Sequence, residues 1–152
     1  MKIWHKDLID ILPRKQLILQ WRNCCAIAKE IQETGTVKGQ AKEVVNYPLS
    51  HFRAYAMLVA NECGRRGYKM KLSSFWKYFP DMTPIPLVIP THEERIFPKW
   101  HSNIYLMECL GELIGKRRHG TISKDDWIPF EIRYGSICKT DTVSIKRYSE
   151  KY

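Results

Sequence analysis

Pro13 to Glu33 reads P-R-K-Q-L-I-L-Q-W-R-N-C-C-A-I-A-K-E-I-Q-E, and the fold turns on this stretch. Leu17, Trp21, Cys24, Ala28 and Ile31 recur at alternating steps of four and three residues, which is one face of a helix. Pro13 suits a first helical turn, where its missing N–H costs little. Gly35, in Thr34-Gly35-Thr36, has the character of a C-terminal cap. Arg14, Lys15, Arg22 and Lys29 fall off the apolar stripe or on its edges. Periodicity alone therefore describes an amphipathic core helix with a solvated basic side.

Working outward, residues 4–12 (W-H-K-D-L-I-D-I-L) form a short leader of one or two helical turns, cut off by Pro13. Residues 35–47 are polar and rich in Gly and Lys. They read as a surface loop or short helix, with Lys38 and Lys42 suited to a phosphate backbone. Pro48 opens a second helix whose inner stripe is Phe52, Ala56, Val59 and Cys63, widened by Tyr55 and Leu58. Arg65-Arg66-Gly67 closes it with cations and a glycine. Residues 72–79 suggest a short amphipathic helix, with Phe75, Trp76 and Phe79 in the core rather than on a base-stacking platform.

Residues 80–98 hold Pro80, Pro84, Pro86, Pro90 and Pro98, so the stretch reads as an extended connector. Pro98 then opens a third helix to about Arg118, with Trp100, Ile104, Met107, Gly111 and Ile114 on one face. Gly111 and Gly115 leave room for a close neighbour, and Lys116-Arg117-Arg118-His119 makes a basic end. Beyond residue 120 the chain reads as irregular. Ile128-Pro129-Phe130 and Ile132-Arg133-Tyr134-Gly135 suggest packed loop with some strand character, and Lys146-Arg147-Tyr148 and Lys151-Tyr152 a basic-aromatic end. The sum is an all-α, compact single domain over residues 1–152, with about three main helices and irregular loops.

Composition narrows the function classes. At 152 residues, 44% hydrophobic and 12% aromatic, the chain can bury a core without staples. No apolar run approaches the roughly 20 residues of a membrane span. Met1-Lys2-Ile3-Trp4-His5-Lys6-Asp7 lacks the apolar stretch of a signal peptide, so a cytoplasmic protein is expected. Five cysteines form no C-x-x-C pair and read as reduced, mostly buried thiols, with no structural zinc. The five histidines are scattered and read as structural or surface residues, so no metal site and no cofactor are expected. There is no P-loop, dinucleotide fingerprint, nucleophile elbow or H-E-x-x-H motif. The net charge of +9 favours a polyanionic partner such as nucleic acid.

Trp4-His5, Leu8, Leu12-Pro13-Arg14, Gln16-Leu17, Arg22 and Cys24-Cys25-Ala26 lie in an order that carries a resemblance. Followed by L-V-A-N-E-C-G-R-R-G-Y, a third helix and an R-Y-G near the end, the chain resembles the phage-type pyrimidine-dimer DNA glycosylase family. It is most similar to that family's bacterial branch, whose members are of undetermined function. The likeness is best over residues 1–28 and 55–70.

The resemblance implies a mostly helical domain with its N-terminal segment packed between the helices. It implies a base-excision glycosylase/AP lyase for damaged or modified duplex DNA, working through the α-amine of the first residue. α-Amines titrate near pKa 8, so part of the population is unprotonated and nucleophilic at neutral pH. Such an amine attacks C1′ of the sugar, and the resulting imine permits strand cleavage. The residues implied are Met1 for the amine, Arg22 for a phosphate, and position 23 for an assisting carboxylate. His5, Arg14, Lys15, Gln16, Arg117, Arg118, Arg133 and Tyr134, with Lys2 at a basic position of the family, complete the expected DNA- or nucleotide-binding set.

Position 23 is Asn23, and this is the main departure. An amide is no general base and carries no charge to offset an oxocarbenium ion. Ala26 also stands near a position where the phage-type enzymes place an arginine. Lys2 is bulky, so Met1 is expected to be retained as a hindered amine. Asp7, Asp10, Glu30, Glu62 and Glu108 are candidates for a substitute acid. The alternative is a catalytically silent scaffold that binds DNA or a nucleotide. A third reading is a helical interaction module whose charge is incidental.

Overall fold

The computed structural model describes residues 1–78 and 96–138. Most of the proline-rich connector, Phe79, and the basic-aromatic end lie outside the described residues. Among the described residues every regular element is helical, as the sequence implies. Helix α1 spans Arg14–Thr34, α2 Leu49–Arg65, α3 Ser73–Trp76, α4 Asn103–Arg118 and α5 Lys124–Tyr134. Short 3-10 turns at Lys6–Leu8, Gly39–Asn46 and Gly135–Cys138 link or follow them.

Pro13 stands just outside α1 rather than in its first turn. Its ψ of 151° is extended, and its carbonyl accepts the first helical bond from Leu17 N at 2.9 Å. Gly35 caps the other end at φ +74°, a left-handed conformation that costs other residues more. Leu17, Trp21, Cys24 and Ala28 are buried as the spacing predicts, each large apolar side chain contributing about 1.5–3 kcal/mol. The inner face is wider than that stripe, because Gln16, Gln20 and Ile27 are buried too. In α2, Phe52, Tyr55, Ala56, Val59 and Cys63 all face the core. Phe75 is buried against Trp21 and Phe52, with ring centroids 6.0 and 5.5 Å away.

The third long helix starts later than the sequence suggests. Ser102 caps it, its Oγ accepting from Tyr105 N at 3.2 Å. The residues before it form a turn in which Phe97 adopts a φ of +50° and the rings of Phe97, Trp100 and His101 meet in tilted and edge-on contacts. Trp100 therefore lies outside the helix, and a stripe phased from it is turned off the core at Ile104 and meets it only at Ile114. The buried face is Leu106, Cys109, Leu110, Leu113 and Ile114, while Ile104 is 70% exposed.

The region after residue 120 corrects a second expectation: residues 124–134 are helix α5, not packed loop with strand character. Ser123 caps it by accepting from Asp126 N at 3.2 Å, and Asp125 and Asp126 sit where the helix dipole favours negative charge. Trp127 and Phe130 are buried and stacked at 4.6 Å, and Trp127 Nε1 donates to the Cys138 carbonyl at 2.6 Å. These contacts outweigh the cost of Pro129 inside the helix, which is on the order of 3 kcal/mol.

Candidate active site around the N-terminal segment

Residues 1–5 run in a non-helical conformation between α1, α2 and α4. An extended peptide among helices brings backbone polar groups into the core, and each must find a partner. Gln20 supplies two of them. Its Oε1 accepts from Trp4 N at 2.8 Å, and its Nε2 donates to the Lys2 carbonyl at 2.9 Å. Tyr55 of α2 donates to the Trp4 carbonyl at 2.5 Å and lies 3.1 Å from Gln20 Oε1. Tyr105 of α4 donates to the Ile3 carbonyl. Gln20 and the two tyrosines are thus the reason the segment sits where it does; periodicity placed Tyr55 on the inner face of α2 but gave no sign of Gln20 or Tyr105. Burial pushes the Tyr55 and Tyr105 hydroxyls well above their ordinary pKa, so both stay protonated donors.

His5 and His101 complete the grip. Their rings stack at 4.9 Å, His5 Nε2 lies 2.9 Å from the His101 carbonyl, and His101 Nδ1 accepts from Lys6 N at 3.0 Å. Burial lowers the pKa of both, that of His101 to about 2, so both are neutral at physiological pH. His5 is therefore committed inside the protein and does not reach the surface that carries Arg22. Gln16 is likewise buried.

Met1 leaves this grip 44% exposed, with its nitrogen 3.9 Å from the point where a Cβ on Gly39 would sit. Asn23 faces the same segment. Its Nδ2 lies 3.4 Å from the Lys2 carbonyl, a long hydrogen bond that a carboxylate could not donate. Lys2 Nζ bonds Glu112 Oε1 at 2.9 Å and lies over the Trp4 and Tyr105 rings at 4.9 and 5.2 Å. These contacts open onto a cavity of about 850 Å³ between the Gly39–Asn46 turn, residues 98–102 and α4.

Arg22 is exposed on the outer face of α1. With Arg14, Tyr68, Lys69 and Lys71 it lines a second cavity of about 600 Å³, and the Arg14 guanidinium lies 5.2 Å over the Tyr68 ring. Arg14, Lys15 and Arg22 also share a third, shallower depression. Tyr68, Lys69 and Lys71 escaped the sequence reading; the only available signal was the cluster of lysines beside Tyr68. The remaining candidates lie apart from Arg22. Arg133 clasps Asp10 with bonds of 2.7 and 2.6 Å and also donates to the Asp7 carbonyl, and Tyr134 is half-buried beside it. That contact draws the Asp10 carboxyl below its usual range. Arg117 donates to the Ile122 carbonyl, and Arg118 is exposed at the end of α4.

Residues 1–75 match the model of the pyrimidine dimer DNA glycosylase family. The match runs from the N-terminal segment through α1 and α2 into α3, and so covers Met1, Arg22, Asn23 and the motifs up to Tyr68, but not the third long helix or the R-Y-G of residues 133–135. It supports a glycosylase-like function at the level of the family, for which DNA is the natural partner. No curated protein and no solved structure matches the chain. No described helix is long and apolar enough to cross a membrane. The described cysteines are all free thiols, with burial holding the Cys24 thiol well above its ordinary pKa and the Cys25 thiol at about 11.

Proposed function

We propose that the chain is a DNA glycosylase/AP lyase-like protein that acts on damaged or modified duplex DNA through the α-amine of Met1. The observation that carries this reading is the grip on residues 2–5, which fixes the N-terminal segment and leaves Met1 exposed next to Lys2, a residue of the cavity lining. Preorganisation of a nucleophile has no obvious use in a purely structural N-terminus. Arg22, Arg14, Lys69 and Lys71 offer a basic, partly aromatic surface for the phosphate backbone. In this reading the unprotonated amine attacks C1′ of the sugar, and the imine opens the way to β-elimination.

The test is borohydride trapping with abasic and ultraviolet-damaged duplexes. A covalent adduct is expected for the native chain and none after acetylation of Met1. Absence of an adduct at high protein concentration would sink the amine chemistry.

Asn23 favours a second reading, a silent scaffold that binds DNA or a nucleotide. Its amide donates to the Lys2 carbonyl, so it serves in positioning where an acid would be needed for chemistry. Tight binding without product would support this reading. An Asn23→Glu variant that gains activity would support it further.

A further inference from the structure

The reaction needs a carboxylate, and position 23 does not supply one. We propose that Glu112, reaching from α4, is the catalytic carboxylate that serves the Met1 amine. This rests on the glycosylase/lyase reading above.

The placement follows from three observations. First, Met1 adjoins residues that line the large cavity. Its chain neighbour Lys2 lines that cavity, and so does Gln40, the chain neighbour of Gly39, against which the amine lies. Second, Glu43, Glu108 and Glu112 line the same cavity, and of these Glu112 is bonded to Lys2, the residue next to the amine. Glu43 accepts from Asn46 instead. Third, Lys2 is itself held over the Trp4 and Tyr105 rings, and Tyr105 anchors the Ile3 carbonyl, so the carboxylate and the amine are located by one set of contacts.

Asp7, Asp10, Glu30 and Glu62 do not line this cavity. Asp10 is clasped by Arg133, Glu62 by Arg65 and Arg66, and Glu30 accepts from Lys38 N. Asp7 lies 3.9 Å from His5 Nδ1.

The Met1 nitrogen adds to C1′ of a ring-opened abasic sugar and water leaves, giving an iminium ion. Glu112 then takes a proton from C2′. The electron pair of that C–H bond forms the C2′–C3′ double bond, and the C3′–O bond breaks with its pair leaving on the 3′-phosphate. Water hydrolyses the C–N bond and restores the amine. The iminium charge makes the C2′ proton removable, and the carboxylate both accepts it and offsets the charge.

Glu112→Gln tests this in the full chain. Glu112 is exposed on α4, so the substitution removes a charge without opening a cavity. Borohydride trapping is expected to persist, while single-turnover β-elimination falls about a hundredfold and loses its acidic pH limb. Glu112→Asp should restore part of the rate, and Glu43→Gln and Glu108→Gln should leave it near native. Native elimination in Glu112→Gln, with the adduct intact, would overturn this assignment and leave the lyase reading standing. A fall confined to Glu43→Gln or Glu108→Gln would do the same. A native chain that forms no adduct would overturn both.

Discussion

Two regions of the molecule hold the same short segment by different means. Residues 1–78 contain the segment itself, α1 and α2, and grip it chiefly through amide and phenol groups, Gln20 and Tyr55. Residues 96–138 grip it from outside the family match, through His101, Tyr105 and Glu112. The first region carries the amine and Arg22. The second carries the charge complement, with Glu112 against Lys2 and Arg133 against Asp10. The family match, confined to residues 1–75, thus leaves out the part of the grip that residues 96–138 supply.

The largest effect is expected within the first region. Gln20→Leu leaves Trp4 N–H without its acceptor in the core and should lower stability by about 3 kcal/mol in urea unfolding. A loss well under 1 kcal/mol would mean that the second region alone suffices to seat the segment.

The next test addresses the second region. His101 is neutral when folded because its pKa is lowered to about 2, whereas an unfolded histidine titrates near 6.5. The unfolded chain therefore binds protons that the folded chain does not. This contribution is fully present above about pH 6.5 and is lost progressively as pH falls from there towards 2. His5 is shifted in the same direction. Unfolding at pH 7.5 and 5.5 should differ by roughly 1–2 kcal/mol, with less of a difference in His101→Phe. An equal difference in His101→Phe would show that other groups carry it.

Binding separates the regions in a different way. Arg22→Ala should reduce the slope of log affinity against log salt by about 1 unit, whereas Arg118→Ala should change it less. Equal effects would extend the DNA surface to the end of α4. The smallest effect is expected for Arg133→Ala. Its partner Asp10 is more than half exposed, so the loss should stay below about 1 kcal/mol despite the good geometry.

The sequence disclosed most where a single helical period repeats for several turns. Leu17 through Ala28 and Phe52 through Cys63 are inside as their spacing requires. It disclosed less where a local turn resets the phase, as Phe97 to Ser102 does before α4. It also disclosed less where two buried aromatics and a serine cap outweigh an internal proline, as in α5. Met1, Arg22 and Asn23 could be named only because their neighbours resemble a family pattern. Glu112 could not, since its partnership with Lys2 joins residues 110 positions apart. Nor could Gln20, whose polar character contradicts the burial that its helical face imposes.

The seating of the histidine pair also bears on the order of folding. The Lys6 amide reaches His101 across 95 positions of chain, and the Ile3 carbonyl reaches Tyr105 across 102. Closing loops of that size is entropically unfavourable before other contacts shorten them. Residues 1–6 are therefore expected to dock late during refolding, after α1 and α2 have paired. Pulse-labelled hydrogen exchange should show the Lys6 amide protected after those of α1, and simultaneous protection would refute that order. A ribosome makes this segment before α4, yet its final place is not defined until α4 has been synthesised.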